Sequence, residues 1–144
     1  MTAPQDEQRP SGHDTRWREN PFGTHLHLPI PTFDGQATRL ELTVEEIHLR
    51  PGNVVHGGVF ATLLDTVTGF AAYCAAPAGS EVLTIQLNMS MTATARLGEH
   101  LICTAKAVHS GSRTAVVTGE IRRADGKLLV TGSATFFLIK GGVA

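Results

Sequence analysis

The chain has 144 residues, 42 % hydrophobic and 17 % charged, enough apolar mass for one packed core and, at roughly 150 residues per domain, one domain. Twelve Lys and Arg against 13 Asp and Glu leave a formal charge of −1, without the strongly basic footprint that duplex nucleic acid attracts. Cys74 and Cys103 are too few for a disulfide scaffold and show no C-x-x-C spacing, and no apolar run approaches the roughly 18 residues of a membrane span. The N-terminus is polar where a signal peptide would be apolar, so the expectation is a cytoplasmic protein with no nucleic-acid or membrane partner.

The first 20 residues carry seven charges and only three hydrophobic side chains, Met1, Ala3 and Trp17. Residues 1–15 are therefore expected to be a flexible tail, with one domain over 16–144. A strand is expected over Leu26–Phe33, at a sheet edge because Pro29 and Pro31 donate no ladder hydrogen bond. Asp34-Gly35 then makes a hairpin turn into Thr38–Glu45, where apolar and polar residues alternate at every step. Between His56 and Ala76 the apolar residues Phe60, Leu63, Leu64, Val67, Ala71 and Cys74 recur at three- and four-residue steps, predicting one buried helix of about five turns. Pro77 and Gly79 end it. Alternation returns over residues 83–92, with Leu83, Ile85, Leu87, Met89 and Met91 on one face and Thr84, Gln86, Asn88, Ser90 and Thr92 on the other. Further strands are expected at 100–109, 113–124 and 127–139. Short connections favour antiparallel pairing over the single helix, an α+β class.

From Pro51 to Ser80 only Asp65 is charged. On the predicted helix, positions four and seven away from it are Gly58, Ala61, Gly69 and Ala72, so the carboxylate sits on a stripe of the smallest side chains, open to close approach. A solvated face normally carries several charges; a lone carboxylate on a bare stripe suits a general base or nucleophile. The helix opens with His56, Gly57 and Gly58. Two glycines there serve a tight strand-to-helix turn, and they also expose amide donors able to stabilise an oxyanion. Eight residues, about 12 Å along a helix, separate Gly57 from Asp65. One helix cannot bring both to one carbonyl, so a homodimer with antiparallel helices is expected.

The run Asn53–Thr66 (NVVHGGVFATLLDT) resembles the helix motif of hotdog-fold acyl-CoA thioesterases, in particular the phenylacetyl-CoA thioesterase (PaaI-like) branch. The likeness continues through Leu83–Met89, Ala95–Glu99 and Ser110–Thr114 to the final strand, covering about residues 20–140. It implies a hotdog fold, an antiparallel sheet wrapped round one long central helix, with two sites at a dimer interface. Asp65 would activate water or attack the thioester, the Gly57 N–H would polarise its carbonyl, His56 would lie beside the site and Thr84 would orient the water. Asn53, three residues before His56, joins this catalytic set; where relatives often carry Asn or Gln six residues before that histidine, this chain has Arg50. Ser112, Arg113 and Thr114, with Arg96 as a second cation, would hold the coenzyme A phosphates.

The expected activity is hydrolysis of acyl-CoA thioesters by a homotetramer built as a dimer of dimers. No metal or cofactor is expected, coenzyme A being part of the substrate. A non-catalytic acyl-CoA-binding or sensing module would need the same pocket but not Asp65; hydratase or dehydratase chemistry on the same fold would want a His/acid pair on different motifs. His25 and His27, two apart, would share one strand face without an evident third metal ligand. His48, His100 and His109 read as surface or core hydrogen bonding, and Cys74 as helix packing.

Overall fold

A computed structural model describes residues 20–141; the expected tail over 1–15, and Trp17, lie outside them. A short helix, α1 (Pro21–His25), precedes the strand expected over Leu26–Phe33, of which residues 26–31 form a turn and irregular backbone instead. Asn20 caps the helix by accepting the Gly23 N–H at 3.0 Å, and Pro21 follows at the first helical position. His27 then turns through a left-handed backbone (φ 57°). Only Thr32–Phe33 remains as strand β1, paired antiparallel with β2 (Thr38–Thr43). The turn between them is the expected one: Asp34 accepts the Gln36 and Ala37 N–H groups at 2.9 and 2.8 Å, and Gly35 takes φ 98°.

A 3-10 turn (Glu46–His48) leads into a two-residue hairpin, β3 (Leu49–Arg50) and β4 (Val54–Val55). Helix α2 (Gly57–Ala75) follows, then β5 (Ser80–Met91), β6 (His100–Ser110), β7 (Thr114–Arg123) and β8 (Leu128–Lys140). The main sheet is antiparallel in the order β1-β2-β6-β7-β8-β5. Helix α2 packs against one face of it, touching β2, β5, β6, β7 and β8. Leu63, Leu64 and Val67 are wholly buried there against Val117, Val130 and Phe136. Burial of each helix side chain is worth about 1.5–3 kcal/mol. Thr38 Oγ1, also buried, donates to the Val67 carbonyl at 2.9 Å and ties β2 to the helix.

By length and hydropathy alone (1.3 over an 18-residue window) α2 is apolar enough to cross a membrane, a stretch that a search for unbroken apolar runs passes over. Its composition follows from the sheet that covers it. The approach is close because β7 and β8 place two glycines opposite one another, Gly119 and Gly132. A Cβ on Gly119 would fall 2.9 Å from Leu64 Cδ1; one on Gly132 would fall 2.2 Å from the Asn88 carbonyl oxygen of β5.

Strand β5 departs from strict alternation. Its pairing with β8 shifts at Ile85: Thr84 pairs with Phe136 and Gln86 with Thr135. This β-bulge reverses the phase. Thr84 therefore shares the helix-facing side with Leu87 and Met89, while Leu83 turns to the other face, opposite Phe137. The single apolar face expected for 83–91 is thus split at Ile85.

Candidate active site

Asp65 lies half-way along α2, half-buried, on the side that faces β5. Thr84 Oγ1 donates to Asp65 Oδ1 at 2.8 Å, leaving Oδ2 with no partner among the described residues. Only the bulge makes this possible, since unbroken alternation would aim Thr84 away from the helix. At the helix start, His56 is the N-cap. Its Nδ1 accepts the Gly58 N–H at 2.7 Å, which places the ring proton on Nε2, and its carbonyl accepts the Val59 N–H. Between these two capped amides, the Gly57 N–H meets no acceptor among the described residues. It lies against the far end of β5, where a Cβ on Gly57 would come 3.3 Å from Met91 Sδ.

Within one chain, then, Asp65 is joined to Thr84, and His56 caps the helix start beside the Gly57 N–H, but the two pairs stay apart along the helix. Asn53 belongs to neither pair. It occupies the β3–β4 turn with φ 59°, exposed, its N–H bonded to the Arg50 carbonyl, and the Arg50 guanidinium turns back to the Pro51 carbonyl. Arg96 pairs by its backbone with Val54, beside that turn and near the start of α2. Ser112 and Arg113 lie in the β6–β7 loop and Thr114 opens β7; this loop is tied to the other end of the helix by Ser110 Oγ, which donates to the Ala75 carbonyl at 3.2 Å. The candidate phosphate ligands therefore sit at opposite ends of α2.

Other nucleophiles and ligands recede. Burial pushes the Cys74 and Cys103 thiols up to about 12, so neither forms a thiolate near neutrality. His25 ends α1, and His27 pairs with Glu45 at 3.1 Å; they do not share a strand face as expected. Among the described residues no three His, Cys, Asp or Glu side chains gather as a metal site.

Residues 52–130, from the β3–β4 turn into β8, match the thioesterase superfamily. The chain belongs to that family. Human acyl-coenzyme A thioesterase 13 is 31 % identical over 96 residues, 66 % of this chain and 68 % of that protein. A thioesterase from Haemophilus influenzae superposes with a TM-score of 0.81 over 88 % of both chains at 23 % identity. A hypothetical thioesterase protein from Streptococcus pneumoniae, solved with coenzyme A, gives 0.67 over 72 % of this chain and 81 % of its own at 22 % identity. The sheet over one central helix is the hotdog architecture of these thioesterases, and the α+β expectation holds.

Proposed function

We propose that this member of the thioesterase superfamily, a thioester hydrolase, cleaves acyl-CoA to a free acid and coenzyme A in a site completed by a second copy of the chain. The observation that carries the reading is the 2.8 Å hydrogen bond from Thr84 to Asp65, which orients a lone carboxylate and leaves one of its oxygens open. Water attacks the thioester carbon while Asp65 takes its proton. The charge that develops on the carbonyl oxygen meets the Gly57 N–H of the partner subunit. The C–S bond then breaks, and coenzyme A leaves as a thiolate that recovers the proton from Asp65. Direct attack by Asp65 would form an acyl–aspartyl anhydride that water opens, using the same groups.

The edge strand β5 supports the second copy. It is twelve residues long, with no strand paired to its outer side among the described residues, and Leu83, Ile85 and Met91 are each 45–48 % exposed. Such an edge invites strand pairing. Antiparallel pairing of two β5 strands about a centre near Leu87 sets Met91 and Gly57 of each copy beside Thr84 and Asp65 of the other. It also brings the Arg113 loop, at the C-terminal end of one α2, to the N-terminal end of the other, where Arg96 lies. His56 flanks the carbonyl, while Ser112, Arg113, Thr114 and Arg96 take the phosphates. By the same reading coenzyme A arrives with the substrate and no further cofactor is needed. The two free thiols suit a reducing, cytoplasmic setting, and two such dimers join as a homotetramer.

A thiol-release assay over a panel of acyl-CoAs tests the proposal. Asp65→Ala is expected to lower turnover by about 10²–10⁴-fold, the contribution of a positioned acid or base, with folding and assembly unchanged. Undiminished release by that variant overturns the assignment. Tight binding with no thiol release by the wild type would make the protein a binding module instead.

A further inference from the structure

His48 is completely buried, and its neighbours decide both ring nitrogens. The Glu45 N–H donates to Nδ1 at 2.9 Å, so the ring proton sits on Nε2, which donates to the Leu26 carbonyl at 2.7 Å. The carbonyl of His48 in turn accepts the His56 N–H at 2.9 Å. One residue thus ties the segment after α1 to the N-cap of the long helix, one peptide before the unbonded Gly57 amide. The same segment reaches α2 a second time: Thr24, Leu28, Pro29 and Ile30 enclose, with Thr66, a cavity of about 30 Å³, and Thr66 directly follows Asp65.

We propose that His48 is a positioning residue: by latching the Leu26 carbonyl to the backbone that holds His56, it makes docking of residues 20–31 set the direction of the Gly57 amide. The inference rests on the thioesterase reading above for its kinetic consequence, and on hydrogen bonds alone for the coupling. Two variants separate the ring's two bonds. In His48→Asn the side-chain oxygen replaces Nδ1 and keeps the Glu45 bond, but nothing reaches Leu26. In His48→Gln the longer amide reaches the Nε2 position and restores that donor.

His48→Asn is expected to lower kcat about tenfold with KM within about twofold, less than the roughly hundredfold that a 1 Å misplacement can cost. Amide exchange at Leu26, His27, Gly58 and Val59 should quicken together, and His48→Gln should restore rate and protection. Asn20→Ala, which uncaps α1 without touching the core, is expected to shift kcat and exchange in the same direction and serves if His48→Asn does not fold. Wild-type kcat in a variant whose Leu26 amide exchanges faster overturns the proposal, as does a His48→Gln variant no better than His48→Asn. If the wild type releases no thiol, the thioesterase reading falls. Exchange at Gly58 and Val59 in His48→Asn then still decides the latch, quickening in its favour and constancy against it.

Discussion

Thr84 holds the carboxylate of Asp65 through one hydroxyl, across 19 residues of sequence. A hydrogen bond to a charged group is worth about 1.5–3 kcal/mol, which in the proposed reaction is the cost of letting the base rotate. Thr84→Val, equal in shape but without the hydroxyl, is therefore expected to lower kcat by roughly 10- to 100-fold, whereas Thr84→Ser stays near wild type. Steady-state kinetics on one acyl-CoA checks both, and a Thr84→Val enzyme with wild-type kcat removes the hydroxyl from the site. The two partners differed in how visible they were. Asp65 stands out unaided, as the only charge between Pro51 and Ser80. Thr84 has no such signal: residue alternation assigns it to the wrong face, and only resemblance to a family singles it out. Asn53, whose left-handed backbone sits in the β3–β4 turn, has no signal beyond its distance of three residues from His56.

Secondary elements longer than one period were legible, and those shorter were not. Helix α2 and strands β5 to β8 fall within a few residues of expectation because each shows several repeats of its apolar pattern. Strands β3 and β4 have two residues each and display no period at all. Asn20-Pro21 is a cap-and-first-turn signal for α1, masked by the strand-like alternation of Leu26 and Leu28 beyond it. The bulge at Ile85 left no mark, since apolar and polar residues alternate unbroken from Leu83 to Thr92 while the face that each set occupies changes at the bulge. The Gly119–Gly132 pair is a matter of sheet register and is equally silent in sequence. It has a measurable consequence. Gly132→Ala drives a methyl group against the Asn88 carbonyl, a rigid backbone atom, and is expected to cost about 1–3 kcal/mol or more in chemical denaturation. Stability equal to wild type would mean that β5 yields easily at that point.

At the scale of the whole molecule, the sites proposed for chemistry and for phosphate binding are each divided along α2, and both divisions run beside the same open strand. A site shared by two copies obeys mass action. Turnover per chain should fall on dilution, in step with the monomer fraction measured by sedimentation. Constant turnover down to concentrations where only monomer remains would place the whole site in one chain. Family, fold and the identity of the lone acid could be read before any coordinates. The assembly could only be argued, from the 12 Å that a helix puts between two groups, because nothing in one chain's pattern states what its edge will meet.

That edge also bears on synthesis. Among the described residues the outer side of β5 has no paired strand, so a newly made chain displays a long, partly greasy edge, a template for any extended polypeptide nearby. If two copies pair through β5 as proposed, the yield of usable protein should be governed by how quickly two nascent copies find each other, more than by how well either core is packed.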